Sequence, residues 1–167
     1  MVEYNFCPKC GGKIDVGSEP PHCFTCGIIY YRNAKPCSSV LIVKDGRVLL
    51  GRRRNEPYKG ECDIIGGFME ADELPEDAAI REAREETGLE VKIISLVGMY
   101  SGQYGEGGDP VLDILYTGES IRGEMKPLDD ISSLEWVDID KVPLDSGSPN
   151  TRAGLRDLKQ LFEKGEV

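Results

Sequence analysis

The most informative part of this chain is a glycine loop followed by an acidic segment, Gly67-Phe68-Met69-Glu70-Ala71-Asp72-Glu73-Leu74-Pro75-Glu76-Asp77-Ala78-Ala79-Ile80-Arg81-Glu82-Ala83-Arg84-Glu85-Glu86-Thr87-Gly88-Leu89. The segment predicts a helix that begins near Pro75, which suits a first turn, and ends at Gly88. Glu82, Glu85 and Glu86 lie three and four residues apart, so they share one face of this helix. Their charges repel one another, and the dipole at the helix end disfavours the last two. A bound divalent cation would reverse both effects.

The surroundings of this acidic face bear on whether it is a metal site or an ordinary solvated helix in which Arg81 pairs with Glu85. The residues predicted to pack on a core lie on the neighbouring arc of the helix and are Ala79, Ile80, Ala83 and Thr87. Before the helix, Gly66-Gly67 follows the short apolar run Asp63-Ile64-Ile65 and lets the backbone come close to a ligand. A strand, a glycine loop and a carboxylate-bearing helix in this order are typical of a metal-phosphate site.

These residues resemble the Nudix box, Gly-x5-Glu-x7-Arg-Glu-U-x-Glu-Glu-x-Gly-U, in which x is any residue and U is aliphatic. Every constrained position is filled, by Gly67, Glu73, Arg81, Glu82, Ala83, Glu85, Glu86, Gly88 and Leu89. One departure is Leu74, which stands where relatives commonly place a Ser-like cap.

The resemblance implies a loop-helix-loop that holds Mg2+ or Mn2+ against a diphosphate. The implied metal ligands are the carboxylates of Glu82, Glu85 and Glu86 and the backbone carbonyl of Gly66. Glu73 and Arg81 match a structural salt bridge instead. Oxygen ligands of this kind are those that Mg2+ prefers, and a metal-bound water is the nucleophile expected in such a site.

A general base and a further acidic group are also expected outside the metal ligation itself. Glu82 and Glu85 are the candidates for the base within the box. Asp130 lies before the run Leu134-Glu135-Trp136-Val137-Asp138, which resembles a family strand that ends in tryptophan. Asp130 is therefore a candidate catalytic carboxylate, with a capping or turn residue as the alternative.

A second motif lies near the N-terminus, where Cys7, Cys10, Cys23 and Cys26 form C-x2-C-x12-C-x2-C. This spacing predicts a tetrahedral zinc site with four cysteine ligands, with two disulfides or an iron-sulfur centre as alternatives. His22 adjoins the motif and is expected outside the ligand set. Cys37 and Cys62 are expected to pack as small apolar residues.

The length and charge of the chain fit a zinc ribbon at residues 1–33 and a Nudix domain at residues 34–167. The net charge is −10, which argues against nucleic-acid and anionic-membrane partners. No apolar run approaches the length of a membrane span, and no secretory segment precedes Cys7, so we expect a cytoplasmic protein. The basic run Arg52-Arg53-Arg54 is either the solvated end of a strand or a substrate contact, which makes Arg53 and Arg54 substrate-binding candidates.

Hydrophobic patterning predicts a β-hairpin around Lys44-Asp45-Gly46, strands near 89–100, 111–117 and 134–139, and a closing helix near 150–164. Together with the box helix, these elements predict an α/β/α sandwich around a mixed sheet, the fold that the Nudix resemblance also implies. The glycine-rich segment 101–109 is predicted to be a loop that covers the site. Tyr100 and Tyr104 beside it are candidates for stacking on a base, with packing as the alternative.

A four-cysteine ribbon followed by a Nudix box resembles the zinc-containing NADH pyrophosphatase group and small ribbon-Nudix proteins that act on ADP-ribose or FAD. The Ser-Gln-Pro-Trp-Pro-Phe-Pro segment of the NADH group is absent. The resemblance therefore implies a Mg2+-dependent enzyme that cleaves the diphosphate of a small nucleotide substrate, and by analogy a homodimer. The alternatives are a Nudix-fold sensor whose ribbon contacts nucleic acid or protein, and a structural ribbon module with a vestigial fold.

Overall fold

A computed structural model describes residues 4–31 and 33–167 of the chain. Along the chain its elements are β1 (Ile14–Asp15), β2 (His22–Cys23), β3 (Lys35–Lys44), β4 (Arg47–Arg53), β5 (Cys62–Asp63), β6 (Ile65–Phe68), α1 (Pro75–Thr87), β7 (Leu89–Gln103), β8 (Pro110–Gly123), β9 (Ile131–Asp138), a 3-10 turn (Ile139–Lys141) and α2 (Pro149–Glu163). Within the described part, no helix combines the length and the apolar character needed to cross a bilayer.

The N-terminal ribbon is built on two cysteine turns and one short pair of strands. β1 and β2 pair antiparallel, and Cys7, Ile14 and Cys23 form a small buried cluster against which Ile28 and Tyr30 pack. The division into residues 1–33 and 34–167 remains a prediction. Residues 1–3 and Arg32, which belong to the first part and its junction, lie outside the described residues.

The predicted hairpin is present as β3 and β4. Asp45 and Gly46 connect the strands with φ values of 51° and 71°. Two successive residues with positive φ form a turn whose twist matches that of the flanking strands. The turn residues therefore set the register in which Ile42 pairs with Leu49.

The main sheet is mixed, and β3 is its organising strand. The order is β5-β4-β3-β8-β7, with β6 also paired to β3 and β9 also paired to β4. β3 is parallel to β8, and the other pairs are antiparallel. β4 and β6 pair with successive parts of β3. The place where β4 gives way to β6 as the neighbour of β3 leaves a gap in the sheet, close to the start of α1.

One helix covers each face of this sheet. On the first face, Val40, Ile42 and Ile65 pack with Ala79 and Ala83 of α1. On the second face, the core joins the other face of β3 to α2 through Leu41, Leu50, Leu115, Leu155 and Leu158. The predicted α/β/α sandwich with a mixed sheet is confirmed.

The ends of α1 follow the sequence signals. Leu74 occupies the N-cap without a side-chain hydrogen bond, Pro75 opens the helix, and Gly88 closes it in the left-handed conformation with φ of 71°. The strands predicted after α1 were shorter than those observed. Ser101–Gln103 still pair with β8, so the connecting loop spans only 104–109, because the backbone pairing of β7 and β8 continues past the apolar residues.

Candidate active site

The close approach of β6 to α1 creates the centre of the site. The backbone N–H of Gly66 donates to Oε2 of Glu86 at 3.0 Å. A Cβ atom on Gly67 would lie 2.7 Å from Oε1 of Glu82, which is closer than real Cβ atoms come to another atom. Glycine at these positions therefore lets the strand pass close to the two carboxylates.

The two carboxylates are held in surroundings that disfavour their charge. Glu82 and Glu86 are 9% and 5% exposed. Burial raises the pKa of Glu86 to about 9, against the effect of the Gly66 N–H, and the carboxylates of Asp63 and Glu82 add to the rise. Burial also raises the pKa of Glu82, and Arg81 opposes that rise. Neighbouring buried carboxylates whose charge the protein disfavours are a donor set that fits Mg2+ or Mn2+.

Arg81 fastens the box together through an extended set of hydrogen bonds. Its Nε and Nη2 donate to the two carboxylate oxygens of Glu73, at 2.8 and 2.9 Å. Its Nη1 donates to Glu82 at 2.7 Å and to Glu85 at 3.0 Å. Nη2 also donates to the backbone oxygen of Phe68 at 3.1 Å. Arg81 thus pairs with Glu85 and at the same time holds Glu73 through two parallel hydrogen bonds. The pairing with Glu85 is the alternative to a metal site that the sequence left open.

A cavity of about 320 Å³ opens beside the two buried glutamates. Of the predicted site residues, it brings together Gly66, Glu82, Glu86, Asp130, Arg53 and Tyr104. The cavity has the volume of a small-molecule site and converging acidic groups, which are the features of a binding pocket for a charged ligand.

Three predicted residues lie outside this cavity. The side chain of Glu85 is 45% exposed, because it is on the outer edge of the acidic face of α1. Nη2 of Arg54 donates to the backbone oxygen of Ile131 at 2.8 Å, so this arginine holds the start of β9, and its substrate role stays a prediction. The hydroxyl of Tyr100 donates to Asp157 at 2.7 Å. The ring of Tyr100 packs against the core beneath α2, which is the alternative considered in the sequence, and its stacking role stays a prediction.

The other two substrate candidates are part of one network at the cavity wall. Nη1 of Arg53 donates to Oδ2 of Asp63 at 2.5 Å, and its Nη2 donates to the hydroxyl of Tyr104 at 3.3 Å. Asp63 also accepts from the hydroxyl of Thr151 at 2.9 Å. Arg53 consequently positions the loop after β7, and its charge also opposes the rise in the pKa of Glu86.

Asp130 lies in a turn at the cavity edge. Its Oδ1 accepts from Nδ2 of Asn55 at 2.7 Å, and its backbone oxygen accepts from the N–H of Arg54. The preceding Asp129 has φ of 43° and also lines the cavity. Asp130 thus has the turn position considered in the sequence and at the same time faces the site.

Sequence reasoning missed Asp63, Phe68 and Asp113, all of which line the cavity. Asp113 is the one with a signal that was available in the sequence, since it interrupts the apolar run Val111–Leu115 of a predicted strand. A charged residue at such a position is unusual unless it has a partner or a function.

The ribbon cysteines form a site that fits zinc. Their four Sγ atoms all lie within 4.8 Å of one another. The Sγ atoms of Cys7 and Cys26 are 3.7 Å apart, and those of Cys10 and Cys23 are 3.6 Å apart. A tetrahedron with Zn–S bonds of about 2.3 Å has S···S edges of roughly 3.8 Å, whereas a disulfide bond is about 2.0 Å long. The Nδ1 atom of His22 instead lies 2.9 Å from the hydroxyl of Ser18.

Comparison with a family model identifies the sandwich. The model of the NUDIX domain matches residues 35–158. The chain belongs to the NUDIX family. The Nudix resemblance drawn from the box is confirmed, and the predicted enzyme class is that of the Nudix hydrolases.

Several curated relatives share this NUDIX domain. An ADP-ribose pyrophosphatase of Methanocaldococcus jannaschii is 40% identical over 103 residues, covering 62% of this chain and 61% of that protein. An NAD-capped RNA hydrolase NudC of Pseudomonas aeruginosa is 30% identical over 161 residues, covering 94% of this chain and 55% of that protein. The chain thus spans only about half to three fifths of the length of these relatives.

Solved structures match the fold over different parts of the chain. A NUDIX hydrolase of Nitrosomonas europaea has a TM-score of 0.83 at 23% identity and covers 97% of this chain and 94% of its own. A MutT NUDIX hydrolase of Burkholderia pseudomallei has a TM-score of 0.68 at 25% identity, covering 75% and 98%. The first match includes nearly the whole chain, so the fold of the NUDIX sandwich and ribbon together has a known counterpart.

Proposed function

We propose that this protein is a Mg2+-dependent pyrophosphohydrolase that cleaves the diphosphate linkage of a nucleoside diphosphate derivative. The products are a nucleoside monophosphate and a second phosphate ester. ADP-ribose is the first candidate substrate, followed by FAD and NADH. One observation carries this proposal: Glu82 and Glu86 are buried against Gly66-Gly67 at the edge of a ligand-sized cavity.

The box residues have distinct tasks in this proposal. Glu82 and Glu86, with the carbonyl of Gly66, would hold the catalytic Mg2+ or Mn2+, and Glu85 would join them from the exposed edge. When bound, the cation neutralises phosphoryl charge and makes a coordinated water more acidic. Arg81 holds Glu82 and Glu85 at fixed positions through its Nη1 group. The chain itself therefore supplies the rigid carboxylate frame that such chemistry needs.

A general base has to face the cavity. Of the two candidates in the box, Glu82 lines the cavity, whereas Glu85 turns toward solvent. The cavity lining favours Glu82 as the base, and Asp130 is the further acidic group that lines the same cavity.

The relatives and the charge guide the choice of substrate. The Methanocaldococcus jannaschii relative, 40% identical, is named an ADP-ribose pyrophosphatase, which supports ADP-ribose. Others are named NAD-capped RNA hydrolases, but the net charge of −10 favours a small-molecule substrate over RNA. A cytoplasmic location, a homodimer and structural zinc in the ribbon remain part of the proposal.

The main alternative is a nucleotide sensor of the same fold with a ribbon that contacts nucleic acid or protein. A sensor does not require a complete carboxylate set. The cost of burying Glu82 and Glu86 side by side is therefore unexplained in a sensor and explained in a metal-dependent enzyme.

The test is hydrolysis of a panel of nucleoside diphosphate compounds with Mg2+, with the products identified by mass. Glu86→Gln and Glu82→Gln are expected to lower the rate by about 10²-fold or more. Glu90→Gln is the matched control, because Glu90 pairs with Arg122 on an exposed part of the sheet. Circular dichroism checks that all variants fold. Activity within a few-fold of wild type in both box variants would refute the assignment.

A further inference from the structure

Three residues form a row across neighbouring strands at the floor of the cavity. Cys37 on β3 is the register partner of Phe68 on β6 and of Asp113 on β8. Register partners on adjacent strands point to the same face of a sheet. All three residues line the cavity. With strands about 4.8 Å apart, Phe68 and Asp113 stand about 10 Å from each other across Cys37.

The carboxyl of Asp113 has one oxygen that the protein leaves unused. Oδ1 accepts from the hydroxyl of Ser39 at 2.8 Å. Oδ2 has no hydrogen-bond partner among the described residues, and since no described buried side-chain oxygen lacks a partner, Oδ2 keeps contact with the cavity. Burial, with the Asp63 carboxylate nearby, raises the pKa of Asp113 to about 6. At neutral pH this oxygen is therefore an ionised acceptor, maintained at a cost in folding free energy.

The cations of the site do not compensate this charge. Nζ of Lys35 pairs with Asp109 at 2.6 Å, and Nη1 of Arg53 pairs with Asp63. The Asp113 carboxylate would therefore repel a negatively charged group of a ligand, whereas it would bind an N–H donor. The ligand group that fits Oδ2 is a hydrogen-bond donor, such as an exocyclic amino group.

The other end of the row offers an aromatic surface. The rings of Phe68 and Tyr104 have centroids 5.4 Å apart and are tilted by 53°. Both side chains are partly exposed, at 40% and 43%. Nη2 of Arg53 donates a hydrogen bond to the Tyr104 hydroxyl. A planar base lying on Phe68 would extend over Cys37, and the distance to Asp113 suits the length of a purine.

We propose that Asp113 is a specificity-determining residue that accepts a hydrogen bond from the 6-amino group of an adenine base stacked on Phe68. The inference deepens the proposed function and rests on it, because it assigns the base of the diphosphate substrate. Hypoxanthine carries a carbonyl oxygen in place of the amino group. That oxygen would face Oδ2 as a second acceptor, so hypoxanthine nucleotides are disfavoured.

The geometry makes one substitution especially informative. Since Ser39 holds Oδ1, the amide of Asp113→Asn places its nitrogen where Oδ2 was. The acceptor becomes a donor at the same position, and a donor suits the carbonyl of hypoxanthine. The preference between the two bases is therefore expected to reverse and not merely to weaken.

The test measures binding of AMP and IMP to the full-length protein by calorimetry in Mg2+ buffer, where neither nucleotide has a diphosphate to cleave. Wild type is expected to bind AMP about tenfold more tightly than IMP. Asp113→Asn is expected to bind IMP at least as tightly as AMP. Asp157→Asn is the matched control, because Asp157 also accepts from a hydroxyl but lies outside the cavity, and it is expected to keep the wild-type ratio.

A second variant separates stacking from reading of the base edge. Phe68→Leu is expected to weaken AMP and IMP by the same factor and to leave their ratio unchanged. The proposal is overturned if wild type binds both nucleotides equally or binds neither, or if Asp113→Asn retains the wild-type ratio. Failure of the proposed function has a different signature, in which the AMP preference and its reversal are found but no diphosphate compound is hydrolysed.

Discussion

Replacing Asp113 by asparagine is expected to stabilise the α/β/α sandwich, and to do so only where the aspartate is ionised. The substitution is nearly isosteric, and the amide oxygen retains the hydrogen bond from the Ser39 hydroxyl. What it removes is a negative charge held in a poorly solvated cavity near the carboxylate of Asp63. Residues that lower the stability of the folded protein in this way are typical of binding sites, where function requires them.

The magnitude follows from the pKa of Asp113, which rises from 3.8 to about 6 in the folded protein. A rise of about two units corresponds to roughly 3 kcal/mol of destabilisation above pH 6. Contact of Oδ2 with the cavity and the stronger hydrogen bond made by an ionised acceptor reduce the expected gain to about 1–2 kcal/mol. Because the pKa is raised on folding, the penalty is absent below pH 4 and is complete once the pH exceeds the folded value.

Urea denaturation at pH 7.5 and pH 4.5 measures this effect through the fluorescence of Trp136, the single tryptophan of the chain, which packs against the α1 face of the sheet. We expect the midpoint of Asp113→Asn to exceed that of wild type at pH 7.5 and the difference to fall to about a third of that value at pH 4.5, because the unfolded and folded pKa values bracket the lower pH. A variant that is less stable than wild type at pH 7.5, or equally stabilised at both pH values, would refute the electrostatic reasoning. The denaturation at pH 4.5 serves as the internal control, because it compares the same two proteins.

Three further predictions concern the box and the ribbon. Arg81→Lys keeps the charge but loses the fork to Glu73, so we expect the free energy of unfolding to fall by about 2 kcal/mol; a change below 0.5 kcal/mol in urea denaturation, on the order of a neutral surface substitution, would contradict this. Glu85→Gln is expected to lower the hydrolysis rate less than Glu86→Gln, because Glu85 is exposed and outside the cavity, and the opposite order in kinetic assays would count against it. Removal of the proposed ribbon zinc by a strong chelator is expected to make residues 4–31 sensitive to protease while the Trp136 fluorescence stays unchanged. Protease resistance of the metal-free ribbon would disprove the last prediction.

Local sequence signals predicted most of the fold. The α1 helix, its start at Pro75 and its end at Gly88 follow from rules that act over one or two turns. The β3–β4 hairpin follows from two turn residues, Asp45 and Gly46. Where the prediction failed, at the end of β7, pairing with β8 extends the strand beyond what its own side chains indicate.

The acidic face of α1 illustrates the limit of such reasoning. A helical wheel places Glu82, Glu85 and Glu86 on one arc and cannot tell which of them is buried. Burial depends on where β6 crosses the helix, and Gly66 and Gly67 bring that strand over Glu86 and Glu82. Glu85 remains 45% exposed on the same helix face.

The sequence by itself determined the family, the Nudix box and the cysteine cluster, because each is encoded by residues that are close along the chain and constrained by local geometry. Only the tertiary structure shows that Tyr104 lines the cavity and Tyr100 does not, and that Phe68 and Asp113 line it as well. These residues meet because β3 pairs with β6 on one side and, in parallel, with β8 on the other. Parallel pairing joins residues far apart in sequence, and no local propensity records which of them will share a row.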